Sequence, residues 1–329
     1  MTQGEKAILR EQRRLEKEKK RRIELANKML IPVGEKTGQS LGLISFDPSG
    51  VFRLGNNVWL KVYSAELTEN MQADVAANLL GSLRMTISLS ESGKATCHLS
   101  LIEEGEIYEE VREKFTADEA VLGNIKVMTV DEVMGSIAFN FYKELRFSYA
   151  SFVRGKKDWK KECFHDIEED KATFKMGRLF GESMVVMDYS DEIDGIDIKD
   201  LISLSCPMTI SYQIKTLQGE DEIYFKRYME KQFNRKLLGS SDEVLFNQSL
   251  SISFLCDSKD AREIVEGTLA SYFLKKGLLL VPGFGNQRQI AERNLSYGLI
   301  RHDFYRNVSK DIADKTIGGG ADESSEVQV

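Results

Sequence analysis

Two segments in the second half of the chain alternate with a period of two. In "MTISYQIKT", Met208 to Thr216, the apolar Ile210, Tyr212 and Ile214 interleave with Thr209, Ser211 and Gln213. In "SLSISFLC", Leu250, Ile252 and Phe254 interleave with Ser249, Ser251 and Ser253. Successive side chains of a β-strand point to opposite faces, so each segment is a strand with one apolar and one hydroxyl-rich face. Such strands predict an antiparallel sheet whose polar face is half-exposed to water.

The remaining elements are read around that sheet. "GVFRLGNNVWLKVYSAE" predicts a hairpin about Gly55-Asn56-Asn57. "LTENMQADVAANLLGSL" follows as a helix with Thr68 at its N-cap, packing back on the hairpin. "RMTISLSESGKATCHLSLIEEG" is a second hairpin that turns over Glu91 to Lys94. A helix from Ile107 to Phe115 and one capped by Thr129 come next. The second half runs strand "ESMVVMDYS", short helix "DIKDLISL", the first alternating strand, helix "DEIYFKRYMEKQFNRKL", the second alternating strand, helix "KDAREIVEGTLASYFLKK" and strand "GLLLVP". In the fourth of these Tyr224, Phe225, Tyr228 and Phe233 read as a packed face.

This order predicts an α+β protein with mostly antiparallel sheets and helices covering one face. Each half reads as a ferredoxin-like, split β-α-β unit, the two being diverged copies, preceded by a charged N-terminal helix. The boundaries are a basic helical arm and linker over 1–40, a first subdomain over 41–153, a charged connector over 154–171, a second subdomain over 172–315 and a disordered acidic tail over 316–329.

The chain has 329 residues and a net charge of −7, yet "EKAILREQRRLEKEKKRRIELANK" near its start is basic. Lys17, Lys19, Lys20, Arg21 and Arg22 are the candidate contacts to nucleic acid or an anionic membrane surface. Interleaved glutamates favour a solvated arm. No apolar run reaches the roughly twenty residues that cross a bilayer, so a cytoplasmic place is expected, with peripheral contact at the inner face of the membrane through the arm. Cys97, Cys163, Cys206 and Cys256 have no paired spacing, which argues against a zinc site or a disulfide framework.

The strongest hint of chemistry is "LLLVPGFGNQRQIAERN", a strand, a glycine turn and a polar helix. A dinucleotide fingerprint needs a third glycine for close packing of helix and strand, and Arg288 stands in its place, although Asp303 lies at the distance of a ribose contact. A glycine turn leading into a surface helix is expected. No P-loop occurs, since the Ser92-Gly93-Lys94 turn lacks the upstream glycine. His98, His165 and His302 lie in separate segments, and Cys97 and His98 are neighbours pointing to opposite strand faces. The acids of "DYSDEIDGIDIKD" do not close a twelve-residue calcium loop with a glutamate. No catalytic residue, metal or cofactor is expected.

The order of segments resembles the N-terminal, non-motor region of the VirB/TraE-type ATPases of type IV secretion and conjugation. The likeness runs from about Phe46 to Leu299 and is carried by "GVFRLGNNVWLKVYSAELTENMQADVAANLLGSL", "CPMTISYQIKTL", "SLSISFLCDSKDAREIVEGTLASYFLKKGLLLVPG" and "NQRQIAERNLSYGL". Tyr297 stands where that family usually has proline, and no Walker A or Walker B sequence follows. The resemblance implies a non-catalytic component of a conjugative machinery that docks to membrane channel subunits or to a separate motor ATPase. The alternative is a nucleic-acid-binding protein that uses the basic arm.

Overall fold

A computed structural model describes residues 3–33, 42–65, 73–90, 94–123, 125–140, 167–190, 192–197, 200–201, 203–204, 206–233, 244–295, 297–298 and 304–317. The chain opens with helix α1 (Gln3–Met29), then strands β1 (Ile31–Pro32), β2 (Leu43–Phe46), β3 (Val51–Leu54) and β4 (Val58–Ala65). Helix α2 (Ala73–Ala77) leads to the hairpin β5 (Ser82–Leu89) and β6 (Ala95–Glu104), helix α3 (Tyr108–Leu122), β7 (Lys126–Val127) and α4 (Val130–Asn140). The second half holds β8 (Ile167–Glu169), β9 (Phe174–Met176), β10 (Leu179–Tyr189), β11 (Met208–Thr216), α5 (Glu220–Phe233), β12 (Leu245–Cys256), α6 (Lys259–Lys275), β13 (Leu278–Pro282), α7 (Gln287–Leu295), β14 (Arg306–Ser309) and α8 (Lys310–Ile317).

Among the described residues fourteen strands form one sheet in the order β1-β2-β3-β4-β6-β5-β11-β12-β10-β9-β8, with β7 beside β4, β13 beside β10 and β14 beside β12. Every pairing is antiparallel. The two halves meet at β5 and β11, which pair from Leu83↔Ile214 to Leu89↔Met208. On either side of this seam the succession is the same. β4 takes β3 along its first part and β7 along its last, while β10 takes β9 and then β13 in the same way. Each outer edge is short and blunted, by Pro32 in β1 and by exposed Glu168 and Glu169 in β8.

One face of the sheet is apolar across both halves. Leu83, Met85 and Ile87 of β5 continue into Ile210, Tyr212 and Ile214 of β11 and Leu250, Ile252 and Phe254 of β12. Helices close it with matched stripes, Val111 and Phe115 from α3 and Val265, Leu269 and Phe273 from α6, each at the four-residue spacing that keeps side chains on one helix face. Ser258 caps α6 by accepting from Ala261 N (3.1 Å). Thr129 and Glu132 form the reciprocal box at the start of α4, Thr129 N donating to Glu132 (2.8 Å) and Glu132 N to Thr129 Oγ1 (3.2 Å).

The other face carries a second apolar cluster, in which Leu60, Val62 and Ile102 pack with Val133 and Met134 of α4, and Leu255, Phe174 and Met176 lie at the far side. Helices therefore lie on both faces, which corrects the one-sided expectation. Four further expectations change. The helix expected from Thr68 is one turn and a half at Ala73–Ala77, Thr68 itself lying outside the described residues, and it meets α8 and β11 instead of the hairpin, through Ala73 N to Asp314 (2.8 Å) and Thr216 Oγ1 to Ala76 O (3.1 Å). The helix expected over Ile107 to Phe115 continues to Leu122. The end of the charged connector is edge strand β8, while 154–166 lie outside the described residues. On α5, Tyr224 is 73% exposed and not part of a packed face.

Gly181 faces Phe174 across β10 and β9, and a Cβ there would run into the Phe174 ring. Gly181→Ala should displace that buried ring and destabilise the protein by about 1–3 kcal/mol, measured as a lowered denaturation midpoint with unchanged slope.

Candidate functional site

The hydroxyl-rich faces of the central strands do not meet water. Register aligns them in transverse rows: His98–Thr86–Ser211–Ser251, then Ser100–Arg84–Gln213–Ser249, then Ser88–Thr209–Ser253–Ser183. All twelve side chains are buried. This corrects the half-exposed face expected from alternation. Helix α7 lies on these rows with Gln287, Ile290, Ala291, Arg293 and Asn294 all fully buried, so it is not the surface helix expected from its polar sequence.

Hydrogen bonds join the helix to the rows. Arg293 Nη1 donates to Ser251 Oγ (3.0 Å) and Ser249 Oγ (3.3 Å). Asn294 accepts from Ser251 Oγ (2.9 Å) and donates to Ser253 Oγ (2.9 Å), which contacts Ser183 Oγ (2.9 Å). Gln287 accepts from Ser183 N (2.7 Å) and donates to Ser183 O (2.8 Å), acting as one more strand residue for β10. Arg84 donates through Nε to Gln213 Oε1 (2.8 Å) and through Nη2 to the same oxygen, and Gln213 donates on to Tyr305. Burying two guanidinium groups is costly unless polar partners surround them, and these rows supply such partners.

After the helix, Tyr297 and Gly298 turn in the left-handed region, at φ 51° and 87°. The turn is held by Ser100 Oγ donating to Tyr297 O (3.1 Å) and by the Tyr297 ring edge-on to His98 (4.4 Å between centroids). A Cβ on Gly298 would strike the Arg84 guanidinium, so glycine is required there by conformation and by space.

The glycine turn before α7 is also occupied. Gly283 N donates to Ser183 O (2.9 Å), Gly285 N to Lys171 O (2.8 Å) and Arg288 N to Glu169 Oε1 (3.3 Å). The amides that would cradle a phosphate at a helix N-terminus are thus spent on the β8–β9 edge and on β10. β13 is antiparallel to β10, whereas a dinucleotide fold requires a parallel crossover.

Burial lowers the His98 imidazole to about 4, keeping it neutral. His98 Nδ1, Thr86 Oγ1 and Ser211 Oγ have no hydrogen-bond partner among the described residues. The hydrogen-bonded rows act as a polar clamp on α7. Cys97, next to His98, lies in the apolar cluster on the opposite face. Cys163, His165 and His302 lie outside the described residues. Among the described residues no group of three or more His, Cys, Asp or Glu side chains is placed to hold a metal ion.

The basic residues singled out in sequence sit on α1, against α3. Lys19 pairs with Glu106 and Arg22 with Glu110 (3.6 Å), so two of the five face protein carboxylates, while Lys17, Lys20 and Arg21 are exposed. The clamp is hidden in sequence because serine alternation reads as a wet face, and only the polar residues of α7 itself, Gln287, Arg293 and Asn294, signal a polar partner. No protein family matches the chain, and no curated protein matches it.

Elsewhere, burial raises the Glu103 carboxyl to about 8, with Asp118 beside it adding to the effect. Asp118 itself accepts from Leu80 N (2.8 Å) and Gly81 N (3.2 Å). In the folded protein Glu103 holds its proton to about pH 8, whereas the unfolded carboxyl loses it near 4.5. Its contribution is fully present below the lower value and is lost as pH rises through the higher. Between about pH 5 and about pH 9, wild type should therefore lose roughly 3 °C or more of melting temperature relative to Glu103→Gln; parallel melting curves would contradict this. Within the clamp, Ser251→Ala should cost about 1–3 kcal/mol, whereas Thr86→Val, which removes an unpartnered hydroxyl at constant shape, should be neutral or stabilising. Urea titrations of the two variants give both values.

Proposed function

We propose that this protein is a non-catalytic component of a type IV secretion or conjugative DNA-transfer machinery, working by docking to a separate motor ATPase or to membrane channel subunits. The reading starts from the resemblance in segment order, whose quoted stretches correspond to β3-β4, β11, β12-α6-β13 and α7. Each half, on this view, is a ferredoxin-like unit. The orders β7-β4-β6-β5 and β13-β10-β12-β11 support that, because both follow the 4-1-3-2 arrangement of a βαββαβ chain.

The observation that carries the docking role is the outward face of α6. Ile264 (69% exposed) and Leu274 (66%) flank Gly267, Thr268 and Ser271, making an uncharged track on a strongly charged molecule. Gly267 has open space around its Cβ position, so no internal packing calls for glycine in the middle of this helix. Glycine there costs about 1 kcal/mol relative to alanine, and close approach by a partner backbone offsets that cost. Among the described residues no helix is long and apolar enough to cross a membrane, so membrane association on this reading is through a partner or through α1.

Nucleic-acid contact through α1 is the second reading, favoured by the exposure of Lys17, Lys20 and Arg21. It requires binding that weakens steeply with salt.

A photo-crosslinking residue at Ser271, in cells that carry the native system, should capture a motor ATPase of the conjugation class or one of its channel subunits. Ile264→Glu with Leu274→Glu should abolish that product without altering the circular dichroism. Gly267→Ala should raise stability by about 0.5–1 kcal/mol while reducing the crosslink. Capture only of proteins outside such a machinery, or a yield insensitive to the glutamates, would overturn the docking role. Salt-sensitive nucleic-acid binding lost on replacing Lys17, Lys20 and Arg21 would favour the second reading.

A further inference from the structure

Sequence spacing separates the cysteines, but the sheet brings two of them together. The β11–β12 register ends in Met208↔Phe254, and one step beyond it Leu255 N donates to Pro207 O (3.0 Å). Pro207 and Leu255 thus face one another through this bond, and continuing the register one step sets Cys206 opposite Cys256 as a non-hydrogen-bonded pair. In such pairs the Cα atoms approach to about 4.5 Å, within the roughly 4.4–6.8 Å that a disulfide spans. Neither thiol is in a disulfide.

They also have an approach from solvent. Both line a cleft of about 360 Å³ together with Leu179, Leu204, Asp257 and Ala261. Cys206 is half-buried and Cys256 is 7% exposed. Cys97, by contrast, is packed in the apolar core.

We propose that Cys206 and Cys256 are a redox modification site, a dithiol that closes to a reversible cross-strand disulfide on exposure to hydrogen peroxide or an organic hydroperoxide. Cys256 is the attacking sulfur. The hydrogen bond from Cys206 and the nearby Arg262 lower its thiol, opposed by burial and Asp257, whereas the Cys206 thiol is raised and keeps its proton. The Cys256 thiolate attacks a peroxide oxygen, so that an S–O bond forms, the O–O bond breaks and hydroxide leaves as water after taking a proton. The Cys206 sulfur then displaces the oxygen from Cys256. The S–S bond forms, the S–O bond breaks, and the Cys206 proton departs with the second water. Two thiols and one hydrogen peroxide give one disulfide and two waters, and a small thiol reverses the change by exchange. The bond ties the segment before β11, whose Leu204 packs on the apolar core, to the end of β12.

The full chain treated with hydrogen peroxide, alkylated and mapped by mass spectrometry should yield a peptide pair linked through Cys206 and Cys256, released by dithiothreitol. Cys97→Ser with Cys163→Ser should leave the link intact. Cys206→Ser should instead leave Cys256 as a sulfenic acid that a dimedone probe labels. Linkage through Cys97 or Cys163, or full alkylation of Cys206 and Cys256 at a peroxide dose that oxidises a free thiol peptide in the same tube, would overturn the proposal.

Discussion

The pairing of β5 with β11 is the interaction on which the rest depends. It turns two short sheets, each with a bare edge, into one sheet whose apolar face runs unbroken beneath α2, α3, α6 and α8. It also assembles the hydroxyl rows, because every row crosses this seam. Arg84 and Gln213 face one another across it, and their hydrogen bonds give the seam a polar fastening on one face where the other is packed mainly by apolar side chains. A one-residue slip at β11 would exchange the two faces and bury hydroxyls against α6.

The clamp on α7 follows from that seam. A helix docked by apolar residues alone tolerates sliding, since burial is non-directional. Arg293, Asn294 and Gln287 each require particular oxygens, so α7 has one register on the sheet. The Tyr297–Gly298 turn fixes where the chain leaves the helix, over His98 and Arg84.

Much of this architecture is legible in sequence, because strand periodicity, the Gly55–Asn57 turn and the Thr129 cap are local signals. β10, β11, β12 and α6 lie where the pattern puts them. What is not legible is whatever depends on a distant cover. Serine every second residue means the same local geometry whether water or α7 lies above it, and only the fold decides between them. Register is equally hidden: Cys206 and Cys256 are fifty positions apart and meet only because β11 and β12 pair as they do. Tyr224 misled for the converse reason, since aromatic spacing on α5 signals a packed face only where a neighbour exists to receive it.

The repeated succession on either side of the seam has a further consequence. Antiparallel pairing is the arrangement in which two copies of the same strand can meet about a twofold axis. A single half, ending in its β5-like edge, would be an incomplete object with the geometry of a self-associating subunit. In the present chain the two edges that meet, β5 and β11, belong to one polypeptide and are not identical. Arg84 on β5 donates to Gln213 on β11, so unlike residues fasten the seam from its two sides.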